Sequence, residues 1–293
     1  NKVYALIYNA AGCFSTTDSI TIIEGPAPVV GLTRTLGTTF CTGAPIVVQA
    51  TSSVPPSFYE FWINTSFIAS STTSVFTPTD TQAINGGDII RVTVVSPGGC
   101  SATASLTLIE NIIVPSGTIS TTAATICVGD IPPVLEGPLD TASGTIEYQW
   151  LQSPDNITFA TLGNASTTGT FTPTTGLTTT TYFRRQIQSE LNGLVCFDLG
   201  PSVKITVSAP PIGTLAGTSV SSGTVTAASS LTICAGEEVR FVASGGASYE
   251  FFIGNLSVQA SSTSDTFTST TLANNNKVYA LIYNAAGCFS TTD

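Results

Sequence analysis

Seven cysteines are the residues of this 293-residue chain whose type and spacing most clearly permit covalent chemistry. Residues 1–18 recur without a change as residues 276–293, so Cys13 and Cys288 are one position in two copies of a repeat. Each period of 275 residues therefore contains six cysteines, an even number that favours disulfides over the alternative of free buried thiols. The other five are Cys41, Cys100, Cys127, Cys196 and Cys234.

The order of the cysteines along the chain predicts how they pair. A cysteine in a Cys-x-Gly motif before a short apolar segment alternates with a cysteine near the last predicted hairpin of each domain. We therefore predict one structural disulfide within each domain: Cys41–Cys100, Cys127–Cys196 and Cys234–Cys288. For Cys13 we expect a partner that precedes residue 1. Because disulfides persist in oxidising compartments, the predicted location is extracellular, at the cell surface.

Side chains for catalysis and for metal binding are scarce. The chain has no histidine, which excludes Ser-His-Asp and Cys-His arrangements. It contains neither a CxxC pair nor an Asp-rich calcium loop. Gly98-Gly99 and Gly245-Gly246 suit hairpin turns better than phosphate-binding loops. We predict that this chain is not an enzyme and that it holds no metal and no cofactor.

The charge balance restricts the partners. Acidic side chains outnumber basic ones by 18 to 8, giving a net charge of −10. Nucleic acid and anionic membrane surfaces both require basic patches, so neither is an expected partner. No apolar segment is long enough to insert into a membrane. Only 9% of residues are charged whereas 42% are hydrophobic, which predicts a folded chain instead of a disordered one.

Period-two alternation of apolar and polar residues, interrupted by Gly, Pro, Asn and Ser, predicts an antiparallel all-β fold. The pattern recurs three times, with joints at Pro26, Pro115 and Pro210-Pro211. Units of roughly 90 residues are typical of immunoglobulin-like β-sandwiches, and short proline-bearing joints favour an elongated rod of such domains. The predicted domains are 1–25 (last strands of a preceding domain), 26–114, 115–209, and 210–293, whose final strand continues as 19–25 of the next repeat.

The third predicted strand of each domain carries aromatic residues at alternate positions, on one face of the strand. Alternation places Tyr59 and Phe61 in the core of the first domain. The same pattern predicts core positions in the sister domains for Tyr148, Trp150, Tyr249 and Phe251. Trp62 points the other way, so it is either covered by a loop or exposed as an aromatic contact for a ligand.

The sequence style resembles a known group of proteins. Units with Cys-x-Gly at the second strand, Tyr-x-Trp/Phe at the third and Gly-Cys before the last are similar to the Ig-like and PKD-like repeats of giant surface proteins of Bacteroidota. The closest resemblance is to SprB-type gliding adhesins, substrates of type IX secretion. It implies a long filament that is exported across the outer membrane and moved by the gliding machinery. It also implies O-glycans at Asp-Ser/Thr-aliphatic triplets, which Ser19 and Thr141 match.

The function predicted from these observations is that of a repeat unit of an extracellular filament that mediates adhesion to surfaces. One alternative is a purely structural filament or sheath polymer. A further alternative is a spacer or carbohydrate-binding stalk of a secreted polysaccharide-degrading enzyme. The expected partners are neighbouring repeats, other copies in a filament, and a surface or polysaccharide ligand bound by other parts of the protein.

Overall fold

The structure is a computed structural model that describes residues 1–79, 83–220, 225–226 and 230–292, and the described residues form β-strands without any helix. No helix of the described part therefore has the length and apolar character needed to cross a bilayer. The fold is all-β and consists of β-sandwiches, as the alternation of apolar and polar residues predicts.

The strands of the first 114 residues fall into two groups. An amino-terminal group precedes Pro26: β1 Lys2–Val3, β2 Leu6–Tyr8, β3 Phe14–Thr16 and β4 Ile20–Thr21. We call the second group, in residues 26–114, the first sandwich: β5 Val30–Arg34, β6 Thr39–Cys41, β7 Val48–Ser52, β8 Phe58–Ile63, β9 Ser66–Ser71, β10 Val75–Phe76, β11 Ile89–Val95, β12 Ser101–Thr107, β13 Ile109–Asn111 and β14 Ile113–Val114.

Two further groups complete the chain. The middle sandwich (115–209) contains β15 Ser120–Thr121, β16 Thr125–Cys127, β17 Leu135–Glu136, β18 Thr141–Ala142, β19 Thr145–Ser153, β20 Ala160–Ser166, β21 Thr170–Phe171, β22 Thr181–Leu191, β23 Leu194–Leu199 and β24 Val203–Ser208. The third sandwich (210–293) contains β25 Thr214–Ser219, β26 Val225–Thr226, β27 Val239–Ser244, β28 Ser248–Ile253, β29 Leu256–Ser262, β30 Thr266–Ser269, β31 Val278–Tyr283 and β32 Phe289–Thr291.

The chain divides into two compact units. Unit 1 comprises residues 1–114, 142–145 and 189–196, and unit 2 comprises the remainder. Unit 1 thus contains the first sandwich together with the tip of the β22–β23 hairpin, whereas unit 2 contains the third sandwich and most of the middle one. Each of the three sandwiches has a hydrophobic cluster of its own.

Aromatic stacking joins the two sheets of each sandwich. In the first sandwich, sheet β12-β11-β8-β9 faces sheet β10-β7-β5. Tyr59 and Phe61 on β8 are 7% and 0% exposed, and Phe61 stacks on Phe76 of β10 with ring centroids 4.7 Å apart. The predicted core positions are therefore confirmed here. The corresponding pairs in the sister sandwiches are Trp150–Phe171 at 5.5 Å and Phe251–Phe267 at 5.7 Å.

In the first and middle sandwiches, the strand that carries the first cysteine pairs in parallel with a strand close to the end of that sandwich. In the first sandwich Cys41 on β6 lies opposite Asn111 on β13. In the middle sandwich Cys127 on β16 lies opposite Ser208 on β24. The first cysteine is therefore held beside the residue at which the chain leaves the sandwich.

The two copies of the 18-residue repeat form the same hairpin. Strands β2 and β3 pair in the register Ile7↔Ser15, and β31 and β32 pair as Ile282↔Ser290. Their surroundings differ, because Ile282 is fully buried in the core of the third sandwich whereas Ile7 is 58% exposed. The hairpin is thus determined locally, and its apolar face is covered only in the second copy.

Candidate functional site at the disulfide junctions

The disulfides join cysteines from different sandwiches. Cys41 is bonded to Cys196 with a Cα–Cα distance of 5.6 Å, and Cys127 is bonded to Cys288 with a distance of 5.5 Å. Each bond lies within one compact unit. The structure therefore contradicts the pairing within domains that the order of the cysteines predicted: Cys41–Cys100, Cys127–Cys196 and Cys234–Cys288.

The reason lies in the strand pairing. Because Cys41 lies opposite Asn111, its thiol is at the end where the chain leaves the first sandwich. Cys100 lies elsewhere, with its Sγ 3.6 Å from the carbonyl oxygen of Gly25, where the chain enters that sandwich. The first cysteine of one sandwich thus meets the second cysteine of the next, and the resulting bond is a junction.

The junction at Cys41–Cys196 includes a buried polar network. The side-chain amide of Asn111, 1% exposed, donates to the carbonyl oxygens of Ser189 at 2.7 Å and of Leu194 at 3.3 Å. The Ser189 hydroxyl donates in turn to Asn111 Oδ1 at 2.6 Å. Both backbone carbonyls belong to the β22–β23 hairpin, so Asn111 fixes that hairpin beside the disulfide. Buried polar groups satisfied in this way specify one arrangement.

The hairpin at this junction turns at Asn192-Gly193. Both residues have positive φ, 53° and 77°, as a two-residue type I′ turn requires. The Asn192 side chain donates to Thr39 Oγ1 at 3.1 Å, which adds a second polar contact to the first sandwich. This turn therefore serves both the hairpin and the junction.

The junction at Cys127–Cys288 uses one asparagine in two ways. Oδ1 of Asn284 accepts hydrogen bonds from the amides of Ala286 at 2.9 Å and Cys288 at 3.0 Å, which shapes the β31–β32 turn. Its Nδ2 donates to Ser208 Oγ at 2.9 Å and to the Ala209 carbonyl oxygen at 2.8 Å. The same side chain thus orders the hairpin of the third sandwich and binds the last residues of the middle one.

The chain contains a natural control for Asn284. Asn9 makes the equivalent turn contacts, to the amides of Ala11 and Cys13. We expect Asn284→Ala to lower the free energy of unfolding of the third sandwich by about 2–3 kcal/mol, since turn and junction hydrogen bonds are lost together. The measurement is hydrogen exchange of 239–244, a segment outside the duplicated sequence.

The matched variant Asn9→Ala should leave exchange of 239–244 unchanged. Equal exchange rates in the two variants would show that the junction contacts of Asn284 do not stabilise the third sandwich.

Three cysteines are free thiols in the structure: Cys13, Cys100 and Cys234. Cys13, for which the sequence predicts a partner before residue 1, is exposed, as is Cys234. Cys100 is half-buried beside Gly25. The prediction that Cys100 and Cys234 form bonds within their own domains is wrong here, because Cys41 and Cys288 are bonded to Cys196 and Cys127 instead.

Trp62 is half-buried instead of fully exposed. The guanidinium of Arg91 lies over its ring, 4.8 Å from the centroid, and Phe67 packs edge-on at 5.3 Å. Neighbouring side chains on the sheet, and not a loop, thus cover the indole. Arg91 lies over one face of the indole, so that face is not open to a sugar ring.

The two candidate glycosylation residues lie at the surface. Ser19 is exposed just before β4, and Thr141 is exposed at the start of β18. Asp140, the acidic residue of the second triplet, is buried and forms an ion pair with Arg185. Its carboxylate therefore has a structural partner inside the middle sandwich.

The Arg185–Asp140 ion pair was not predicted from the sequence. Arg185 Nη2 lies 2.9 Å from Asp140 Oδ2, and the side chains are 3% and 1% exposed. Arg185 also donates to the carbonyl oxygens of Pro138 at 2.7 Å and Gly169 at 3.3 Å. The sequence feature that could have indicated this ion pair is an arginine at an inward position of β22, where the sister sandwiches have an apolar residue.

Tyr283 lies next to the Cys127–Cys288 junction. Burial, followed by the hydrogen bond and charge of Glu250, raises the pKa of the Tyr283 hydroxyl above its usual value. The hydroxyl therefore remains protonated at neutral pH and donates to Glu250 Oε2 at 3.2 Å. This contact fixes the residue that precedes Asn284.

Chemistry beyond the cysteines is limited in the part of the chain that the structure describes. No group of three or more His, Cys, Asp or Glu side chains within residues 1–79, 83–220 and 230–292 could hold a metal ion. A groove of about 890 Å³ lies in the third sandwich and is lined by residues that include Ile233, Cys234 and Val278.

A family model described as a domain of unknown function (DUF8696) matches residues 115–209, the range of the middle sandwich. No curated protein matches the chain.

Several solved structures of repeat modules are similar. Fibronectin(III)-like modules of Clostridium thermocellum CbhA are 17% identical over 61% of this chain and 95% of theirs, with a TM-score of 0.35. A 1.5-MDa bacterial ice-binding adhesin is 14% identical over 92% and 96%, with a TM-score of 0.36. A tetra-tandem repeat of a large adhesion protein is 14% identical over 99% and 79%, with a TM-score of 0.28.

Proposed function

We propose that this chain is a repeat unit, with a period of 275 residues, of a long extracellular filament that attaches a cell to surfaces. The observation that carries the proposal is the pairing of Cys41 with Cys196 and of Cys127 with Cys288. A disulfide between successive sandwiches holds two modules together even if one of them unfolds. Such bonds suit a chain that transmits force along its length.

The identical hairpins at residues 1–18 and 276–293 support a tandem array. The disulfides support an oxidising location outside the cytoplasm. The resemblance to SprB-type adhesins extends the proposal to gliding motility and type IX secretion in Bacteroidota. In that setting Ser19 and Thr141 are exposed acceptors for O-glycans.

A structural sheath is the competing function, because it would use the same bonded repeats. The stalk of a polysaccharide-degrading enzyme has less support, since Arg91 and Phe67 cover the aromatic residue expected to contact sugar.

The proposal is tested on the producing cells and on the intact protein. Antibodies raised against the 293-residue chain should label the outside of unpermeabilised cells. Electron microscopy of the intact protein should show filaments with a repeat of roughly 100–150 Å, taking about 40–50 Å for each sandwich. Deletion of the gene should abolish attachment to glass and spreading on agar.

Two results would contradict the proposal. Normal attachment and spreading of cells that have lost the filaments would favour the sheath. Compact particles in electron microscopy would exclude a filament of either kind.

A further inference from the structure

The third sandwich contains a groove where the other two sandwiches have a strand. Thr232, Ile233 and Cys234 correspond to β6 and β16, yet they are not part of any strand. In the first and middle sandwiches the equivalent segment pairs in parallel with a strand close to the end of that sandwich. The groove of about 890 Å³ lies along this segment and extends to Lys277 and to Val278, the first residue of β31.

The amino-terminal copy of the repeat shows which sequence pairs with that edge of β31. There, β1 and β4 pair as Lys2↔Thr21 and Val3↔Ile20. Lys2 and Val3 recur as Lys277 and Val278, which border the groove. A strand with the sequence of residues 19–25 therefore has a defined register on the third sandwich.

The complete sandwiches extend this register to the other side of the groove. The pair Val3–Ile20 corresponds to the pair Ile90–Leu106 in the first sandwich and to the pair Phe183–Val203 in the middle sandwich. Ile20 is therefore equivalent to Leu106 and to Val203, and the residues that follow these three are equivalent one by one. Residue 25 corresponds to Asn111 and to Ser208, the residues that lie opposite Cys41 and Cys127.

The same alignment explains the apolar character of the strand. Ile22 falls at the position of Leu108 and Ile205, which are both fully buried in their cores. In the amino-terminal group Ile22 is 58% exposed. Ile23 falls at the position of Ile109, which is 40% exposed in the first sandwich. In the docked strand, Ile22 would therefore point into the core of the third sandwich and Ile23 would point to its outer face.

Gly25 brings two free cysteines to the same place. In the docked register it lies opposite Cys234, and in unit 1 its carbonyl oxygen lies 3.6 Å from Cys100 Sγ. At both observed junctions the residue opposite the first cysteine, Asn111 or Ser208, contacts the hairpin that carries the second cysteine. In the same way, Gly25 would lie opposite the first cysteine, Cys234, and it contacts the second cysteine, Cys100.

We propose that residues 19–25 of the following repeat complete the third sandwich, and that Cys234 forms a disulfide with Cys100 of that same repeat. Cys13 would then pair with Cys127 of the preceding repeat, as Cys288 pairs with Cys127 here. Every junction of the array would carry one disulfide between a first and a second cysteine. The inference rests on the tandem array of the proposed function, but not on adhesion.

Bond formation requires an oxidant that contains a disulfide, such as oxidised glutathione or an oxidoreductase. The thiolate of Cys234 attacks the oxidant and releases one of its sulfurs as a thiolate, leaving a mixed disulfide. The thiolate of Cys100 then attacks Sγ of Cys234 and releases the second sulfur. Two cysteine thiols lose two protons and two electrons, and the oxidant is reduced to two thiols.

The test uses a chain of two consecutive repeats, in which residues 19–293 follow residue 293. Serine replaces Cys100 in the first repeat and Cys234 in the second, so that only the central junction can form this bond. After oxidation in glutathione buffer, free thiols are alkylated and the monomeric chain is digested without reduction. Mass spectrometry should find the Cys234 peptide bonded to the Cys100 peptide.

Alkylated Cys100 and Cys234, or bonds from Cys100 to Cys41 and from Cys234 to Cys288, would overturn the proposal. Cys13→Ser is the matched control and should leave the cross-linked peptide unchanged. Because the experiment does not involve cells, its failure leaves adhesion untested, and a failure of adhesion does not affect this result.

A second measurement tests the strand without the cysteines. At the central junction, Ile22→Asp places a charge in the core and should increase hydrogen exchange of residues 232–234 by about 100-fold. Ile23→Asp places the same charge on the outer face and should change the rate by less than about threefold. Equal rates in the two variants would exclude the proposed register.

Discussion

Replacement of Arg185 by methionine is expected to lower the free energy of unfolding of the middle sandwich by about 3–5 kcal/mol, because Asp140 is left buried without its cation. The hydrogen bonds to Pro138 and Gly169 would be lost with it. Urea unfolding can be followed by the fluorescence of Trp150 in the core of this sandwich, in a Trp62→Phe background that removes the other tryptophan.

Arg184→Met is the matched control, since Arg184 lies on the outer face over the ring of Phe159 at 3.8 Å. It should cost less than about 1 kcal/mol. The double variant Arg185→Met/Asp140→Leu should recover a large part of the loss, because no charge then remains buried. A loss for Arg185→Met as small as that for Arg184→Met would show that the ion pair does not stabilise the sandwich.

Removal of the Cys41–Cys196 bond is expected to have an effect of similar size on unit 1. The bond closes a segment with a sequence separation of 155 residues, for which the chain-entropy treatment gives about 5 kcal/mol. The variant Cys41→Ala/Cys196→Ala avoids a free buried thiol. Calorimetry should show a lower melting temperature, and hydrogen exchange should show faster opening of residues 189–196.

A reducing agent should reproduce this change in the unaltered chain and leave the variant's unit 1 unaffected. Cys13→Ala is the control, because Cys13 is an exposed free thiol. An unchanged melting temperature in both experiments would mean that the bond contributes nothing to stability. Peptide mapping that joined Cys41 to Cys100 would contradict the structure directly.

The two kinds of interaction have different consequences for a filament. The buried ion pair stabilises one sandwich against unfolding. The junction disulfides connect each sandwich to its successor, and Asn111 and Asn284 orient the connection. If the proposed Cys234–Cys100 bond forms, covalent links bridge every joint of the array.

Local patterns determined much of this structure from the sequence. Alternation along a strand placed Tyr59 and Phe61 in the core, because successive side chains point to opposite faces of a sheet. The duplicated hairpin has one register in both copies, since Asn9 and Asn284 shape the turn through bonds to amides two and four residues away. Such features depend on few neighbours and can be predicted.

The disulfide partners were decided only by the tertiary structure. Spacing alone pairs Cys41 with Cys100, but the parallel pairing of β6 with β13 moves Cys41 to the exit of its sandwich. The cover of Trp62 by Arg91 and the ion pair of Arg185 with Asp140 also join residues that are distant in the sequence. Contacts of this kind depend on which ends of the strands lie together, and period-two alternation specifies the face of a residue but not its neighbours across the fold.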